Sequence, residues 1–186
     1  YLNYIVNCGQ NIKEIVPGDD YKLVRLGDIT EFLPKSKRTA SFGKDIGEYK
    51  FYTSSKIIKH CDISDYNQEC LIIGDGGTAN IHIDKNFSCS DHHHLLISSN
   101  NYYLYFLING NLKLLEKGFN GSVIKNISKF FLENLKIPIP KSEDKMIEWV
   151  DKISEPYNKV IENKNKLKEL EEQVKQDIQN MIDTNE

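Results

Sequence analysis

The run Cys89-Ser90-Asp91-His92-His93-His94 contains every side-chain type that commonly binds zinc. Its spacing does not favour a closed site, because alternate side chains of a strand share a face, so that His92 and His94 lie together and His93 does not. No second ligand pair of the C-x-x-C or H-x-x-x-H kind accompanies the run. Polar side chains at a strand edge are the preferred interpretation. A zinc-dependent enzyme is kept as an alternative, and its ligands would be Cys89, Asp91, His92 and His94.

A second candidate is the loop Gly74-Asp75-Gly76-Gly77-Thr78, which follows an apolar run that predicts a buried strand. The loop lacks the G-x-x-x-x-G-K-[ST] and G-x-G-x-x-G patterns of nucleotide-binding loops. Two interpretations remain: a wide turn that needs positive φ, or a loop whose bare N–H groups approach a phosphate. In the second case Gly76, Gly77 and Thr78 would contact a nucleic-acid backbone.

No catalytic motif is apparent. The sequence contains neither a G-x-S-x-G elbow nor an H-E-x-x-H motif, and no spacing of its carboxylates singles out an acid–base pair. Its four cysteines are widely spaced, which is typical of buried thiols in a reducing compartment. No apolar run approaches the roughly 20 residues that a membrane helix needs. We therefore predict a cytoplasmic protein with no active site, metal or cofactor of its own.

The distribution of charge indicates a partner. The net charge is −3, yet residues 34–60 carry seven basic and two acidic side chains. Such a basic segment predicts a surface that faces a polyanion, and lysine is a point charge suited to phosphate. The predicted phosphate contacts are Lys35, Lys37, Arg38, Lys56, Lys59 and Lys125.

Sequence readout requires polar side chains that reach base edges. Arg25 and Arg38 are the two residues that can form a bidentate contact to guanine. Arg38 is the better candidate, because Arg25 lies in an apolar, strand-like stretch. Short polar side chains on predicted turns or edges complete the set: Ser54, Ser55, Thr78, His92, His93 and Asn120.

The elements that must position these residues form an α+β domain. Residues 1–20 are read as a tail or the end of a preceding helix, and residues 21–140 as a mixed, mainly β recognition domain. The apolar run Glu69 to Ile73 and the alternating segment Asn80 to Asp84 predict strands. Helical spacing of apolar residues over 101–115 predicts a helix, although Gly110 weakens its middle.

Residues 141–186 predict a helical connector in two parts. A short helix begins at Ser142, and a long helix restarts at Pro156, because proline is tolerated in a first turn but not in a helix interior. The long helix carries a single apolar stripe and needs a partner helix. Its predicted pairing residues are Tyr157, Val160, Ile161, Leu167, Leu170, Val174, Ile178 and Met181.

Three stretches in a fixed order resemble a known family. They are residues 49–55, residues 70–80 with the following Ser90-Asp91-His92, and Asn120-Gly121-Ser122 to Ser128 with the strand Leu135-Lys136-Ile137-Pro138-Ile139-Pro140. Followed by a long Glu/Lys-rich helix, this order resembles a target recognition domain of the type I restriction–modification DNA specificity (S) subunit. The chain departs from the family at residues 141–145, where Pro-Pro, a spacer and Gln are usual.

The resemblance implies sequence-specific recognition of double-stranded DNA. The domain would direct an adenine methyltransferase, as a subunit or a fused domain, and through it a restriction subunit, to a bipartite site. The resemblance adds Tyr52 and Ser122 to the DNA-binding set. An intact S subunit has two recognition domains and two helices. This chain therefore resembles a half-subunit that pairs with a second copy, or the last module of a longer chain that contains a second recognition domain. A coiled-coil protein-interaction module stays open as a further alternative.

Overall fold

The computed structural model describes residues 20–55, 57–120 and 126–183, with the backbone alone at residue 120. These residues form the following strands: β1 (Tyr21–Arg25), β2 (Glu31–Phe32), β3 (Tyr49–Tyr52), β4 (Lys59–Cys61), β5 (Cys70–Gly74), β6 (Ile81–Asp84), β7 (Phe87–Cys89), β8 (His93–Ile97), β9 (Phe119–Asn120), β10 (Asn126–Ile127) and β11 (Lys136–Pro140). Their α-helices are α1 (Asn101–Asn109), α2 (Lys113–Glu116), α3 (Lys129–Asn134) and α4 (Glu143–Asp183). The region predicted as one helix over 101–115 thus forms two, which separate at Gly110.

A four-stranded antiparallel sheet with the strand order β2-β8-β5-β6 forms the centre of the fold. Strand β5 is buried along its whole length because both of its faces are covered. Leu71 and Ile73 pack in the main core with helix α1, whereas Cys70 and Ile72 pack in a second cluster on the opposite face. The continuous apolar run of β5 is the pattern expected of a strand with both faces covered.

A three-stranded sheet with the order β4-β3-β7 contributes the other side of the second cluster. Strands β3 and β7 are parallel, and Tyr52 lies opposite Cys89. Tyr52 and Phe87 pack edge to face with ring centroids 5.6 Å apart, and both contact the cluster that contains Ile72 and Leu95. The second cluster therefore joins the two sheets into one body.

Strands β1 and β11 form a separate two-stranded antiparallel sheet, in which Tyr21 lies opposite Pro140. Pro138 and Pro140 cannot donate to a ladder, and a two-stranded sheet accommodates them because each strand has an open edge. The Tyr103 hydroxyl donates to the Pro138 carbonyl at 2.7 Å, which fastens this sheet to α1. The chain therefore enters and leaves residues 21–140 at adjacent points, directly before α4.

Helix α4 contains 41 residues and is about 60 Å long. The predicted restart at Pro156 is wrong, because Pro156 lies inside the helix and its side chain is buried. Met146 and Ile153 of the same helix are buried in the main core. The first third of α4 is thus part of the globular body, and the helix continues through the proline because the ring packs against that body.

Tyr157 also belongs to the anchored part of α4. Its hydroxyl lies 2.6 Å from that of Tyr105, and its ring packs edge to face on Phe106 with a centroid distance of 5.1 Å. The prediction that Tyr157 pairs with a second helix is therefore wrong, since its side chain already packs on α1. Val160, the next predicted pairing residue, is half-buried.

Beyond Val160 the described part of α4 is exposed to its end. From Leu167 to Met181 its exposed apolar side chains recur every three to four residues, which places them on one stripe. The members that were predicted for pairing are Ile161, Leu167, Leu170, Val174, Ile178 and Met181, with 39 to 67% of each exposed. None of the helices in the described ranges is both long and apolar enough to cross a membrane. Mixed sheets with one long C-terminal helix confirm the predicted α+β class.

Candidate nucleic-acid interface

Connecting segments of both sheets meet at one end of the body, which we call the loop end. It comprises residues 33–38, 53–55, 57–58, 75–80 and 90–92 together with Asn126. The strand register brings them together: Gly74 at the end of β5 lies opposite His93 at the start of β8, and β3 and β7 end side by side. Two backbone hydrogen bonds link the segments directly, from Ser90 N to Tyr52 O at 2.9 Å and from Asp91 N to Arg38 O at 2.8 Å.

Asp75 fastens several of these segments to one another. Its side chain is only 10% exposed; one carboxylate oxygen accepts a hydrogen bond from Lys35 Nζ, and the other lies 3.3 Å from His92 Nδ1. Its backbone N–H donates to the His92 carbonyl at 3.0 Å, and its carbonyl accepts from Ile127 N at 2.8 Å. Asp75 is not among the residues predicted from the sequence. The available signal was a carboxylate inside a glycine loop that follows a buried strand.

The glycine loop spans residues 75–80, between β5 and β6. Gly77 has a φ of +78°, which confirms the interpretation that the turn needs positive φ. Gly76 is buried and forms a β-bridge with Asn126, whereas Gly77 and Thr78 are exposed. Gly77 and Thr78 are therefore the two candidates in this loop that a phosphate group can approach.

The three consecutive histidines occupy different environments. His92 is exposed at the loop end, but His93 is buried with its Nδ1 3.2 Å from the Ser90 carbonyl. Burial lowers the pKa of His93 to about 4. His94 is also buried, with Nε2 3.0 Å from the Ile127 carbonyl, and burial lowers its pKa as well. The prediction that His93 contacts a base is wrong, because its side chain does not reach the surface.

The geometry does not support the zinc alternative. Cys89 is fully buried in the second cluster, and His94 is directed toward the Ile127 carbonyl. In the part of the chain that the structure describes, no group of three His, Cys, Asp or Glu side chains could hold a metal ion. The predicted ligands His92 and Asp91 remain near each other, with 3.9 Å between His92 Nε2 and an Asp91 carboxylate oxygen.

The prediction that Tyr52 contacts DNA is also wrong. Its side chain is buried, and its hydroxyl donates to an Asp84 carboxylate oxygen at 2.6 Å. Burial and the neighbouring carboxylate both raise the pKa of the Tyr52 hydroxyl. The residue therefore supports the sheet from inside and does not face a ligand.

The guanidinium of Arg38 is already occupied. Its Nε donates to one carboxylate oxygen of Asp65, and its Nη2 donates to the other oxygen at 2.7 Å. The guanidinium carbon lies 3.9 Å from the ring centroid of Phe42. This pairing raises the pKa of Arg38 and lowers the pKa of Asp65. Because the fork that would read guanine is satisfied within the protein, the structure does not favour Arg38 as a base reader.

The remaining candidates divide into three groups. Lys37, Ser54 and Ser55 lie at the loop end at least partly exposed, and Lys59 is half-buried at the start of β4, next to it. Asn120 forms part of β9, opposite Asn126. Three predicted contacts lie outside the described residues: Lys56, Ser122 and Lys125.

Comparison with known proteins identifies the family. Residues 18–172 match the model of the type I restriction modification DNA specificity domain. The chain belongs to this family. The structural matches agree with the specificity-domain fold, and no curated protein matches the chain.

The specificity-domain fold recurs in solved structures at low sequence identity. The S subunit of the type I restriction-modification system of M. genitalium is 16% identical with a TM-score of 0.67, over 77% of this chain and 40% of that one. A chain solved to explain complex assembly and conformational transition of the type I R-M system is 12% identical with a TM-score of 0.55, over 94% of this chain and 50% of that one. The specificity domain described here thus spans half or less of the length of these proteins.

The Asp75 contacts predict a measurable contribution to stability. We expect Asp75→Asn to lower the free energy of unfolding by about 1–3 kcal/mol, because the substitution removes a charged acceptor from a largely buried site. Asp62→Asn is the matched control, since Asp62 pairs with Lys44 and both side chains are exposed; its effect should stay below about 1 kcal/mol. Urea unfolding followed by circular dichroism measures both. Equal effects would contradict the role of Asp75.

The buried His93 predicts a pH-dependent stability. Because its pKa is about 4 in the folded state and about 6.5 in an unfolded chain, the unfolded chain binds more protons between these values. The stabilisation is complete above pH 6.5 and is lost as the pH falls toward 4. Between pH 7.5 and pH 5 the wild type should lose about 2 kcal/mol more unfolding free energy than His93→Gln. Parallel urea titrations at the two pH values test this, and parallel losses in the two proteins would refute it.

Proposed function

We propose that this specificity domain recognises a sequence of double-stranded DNA through the loop end, on behalf of a type I restriction-modification complex. The observation that carries the proposal is the convergence of segments from β2, β3, β5 and β7 on one face. Asp75 fastens the segments after β2, β5 and β7 to one another, and the segment after β3 is joined to them through the Ser90–Tyr52 backbone hydrogen bond. This face presents Lys37 together with short polar side chains. Membership of the DNA specificity domain family supports the same assignment.

The chemistry of the loop end suits a duplex in two ways. Lys37 and, at its margin, Lys59 provide positive charge for phosphates, which positions a protein on DNA without reading sequence. Ser54, Thr78 and His92 are compact polar side chains on segments with fixed backbones, so they lose little conformational entropy on contacting base edges. A good polar contact to a base discriminates by roughly 1–3 kcal/mol.

The exposed part of α4 supports a second element of the proposal. Its apolar side chains from Ile161 to Met181 are uncovered, and an exposed apolar stripe of this length indicates an association surface. We assign to it a partner helix, from a second copy of the chain or from a second specificity domain. The part of α4 beyond the body is about 35 Å long, which is close to the length of one turn of B-DNA. Paired helices of this length would hold two loop ends apart.

This arrangement leads to a bipartite DNA site with an unread spacer. If two identical copies pair about a two-fold axis, the helices run antiparallel and the site is an interrupted palindrome. The outer faces of α4 carry i,i+4 pairs such as Glu148–Lys152 and Glu155–Lys159. We propose that these polar faces contact the adenine methyltransferase, and through it the restriction subunit.

The DNA face is tested through the salt dependence of binding. Lys37→Ala should weaken binding of a duplex and reduce the slope of log affinity against log salt by about 0.9, the value for one phosphate contact. Lys168→Ala is the control, because Lys168 is exposed on the free part of α4, far along the helix from the body. Fluorescence anisotropy at several salt concentrations measures both slopes. An unchanged slope for Lys37→Ala would place the duplex on another surface.

The helix surface is tested through association in the absence of DNA. We expect the chain to dimerise and the double variant Leu167→Glu/Val174→Glu to be monomeric, because two charges would enter the apolar stripe. Gln173→Glu adds charge elsewhere on the same helix and should leave the dimer intact. Light scattering coupled to size exclusion decides the question. A wild-type monomer would exclude pairing with a second copy, and an intact dimer of the double variant would move the interface elsewhere.

A further inference from the structure

We propose that Ile57 reads the 5-methyl group of a thymine in the bound duplex. This inference rests on the proposed function and assigns one contact within the same interface. It begins from the exposure of the side chain: Ile57 is 73% exposed at the loop end, between β3 and β4. Its neighbour Ile58 is less exposed, at 39%.

The segment that presents Ile57 is formed before any ligand binds. The Ser55 hydroxyl donates to the Ile57 carbonyl at 3.2 Å, and the Ile57 N–H donates to the Ser55 hydroxyl oxygen at 3.3 Å. The Ser55 and Thr53 hydroxyls are in turn 2.9 Å apart. The backbone at Ile57 is thus fixed by neighbouring hydroxyl groups, while its side chain is left outside the core. Because isoleucine is β-branched, the direction of this side chain is also restricted.

The glycine loop packs directly beside the segment that carries Ile57. Gly77 has no side chain, and a Cβ built on it would lie 3.7 Å from the Ser54 carbonyl oxygen. The glycine turn therefore lies beside the segment that carries Ile57 without a side chain between them. Lys37 and Lys59 provide positive charge on the same side of the molecule, which favours a duplex over an apolar protein surface as the ligand.

The identity of the contact follows from the chemistry of base edges. In the major groove the 5-methyl of thymine is the apolar feature, and the other groups are hydrogen-bond donors and acceptors. An isoleucine placed against those polar groups would remove them from water without a partner, which is unfavourable. Against a methyl group the same side chain gains from the removal of apolar surface from water.

Two libraries of random duplexes, one made with thymine and one with deoxyuridine, test the inference directly. The wild type should select thymine at one or more positions of its site, and the preference should vanish in the uracil library. On the selected duplex, replacing that thymine by uracil should weaken binding about fourfold, the effect of one buried methyl group. Ile57→Ala should bind the thymine and uracil forms equally.

Ile46→Ala is the matched control. Ile46 is 87% exposed but lies at the opposite end of the β3–β4 hairpin, where neighbouring Gly47 approaches Cys61. This variant should keep the wild-type fourfold difference.

The outcomes separate the two proposals. Failure of the wild type to bind either library would overturn the proposed function and the thymine contact together. Selective binding with equal affinity for thymine and uracil would overturn only the contact. An Ile57→Ala variant that still binds the thymine and uracil duplexes with different affinities would also overturn the contact. A variant that binds both duplexes more weakly by the same factor would overturn it too, because an equal loss indicates that Ile57 acts as an apolar wedge and does not read the methyl group.

Discussion

The carboxylate of Asp75 is the constraint on which the arrangement of the loop end depends. A carboxylate with so little exposure is unfavourable unless cationic or hydrogen-bonding groups surround it. Lys35 and His92 supply these groups from segments 40 and 17 residues away in the chain, while the backbone of Asp75 binds to His92 and Ile127. These contacts keep the segments that contain Lys35, His92 and Ile127 next to the end of β5.

The rest of the fold gives this carboxylate a rigid base. Strand β5 is covered on one face by α1 and on the other by the β4-β3-β7 sheet, so its end is fixed from both sides. Helix α1 also receives the first third of α4, through Ile153 and Tyr157. The loop end and the long helix are therefore attached to one packed body, and their relative orientation follows from side-chain packing.

The sequence predicts those features that local periodicity determines. The buried run of β5, the alternation of β6 and the apolar stripe of α4 all follow from the spacing of apolar residues. Alternation does not reveal whether a second sheet covers a given face, so the burial of Tyr52 and His93 is not visible in the sequence. The availability of Arg38 depends on Asp65, 27 residues further along the chain. The helix continues through Pro156 because of a tertiary contact, and the intrinsic helix propensity of a residue does not account for such contacts.

The pairing of β1 with β11 has a consequence for the order of folding. About 110 residues separate the two strands in the chain, and closing a loop of this length carries an entropic cost that local contacts do not offset. The central sheet and α1 lie within that loop and can assemble first. During synthesis β1 has to wait for β11 to leave the ribosome, and α4 follows directly after it. The long helix therefore docks in a late step, on a body whose central sheet is already in place.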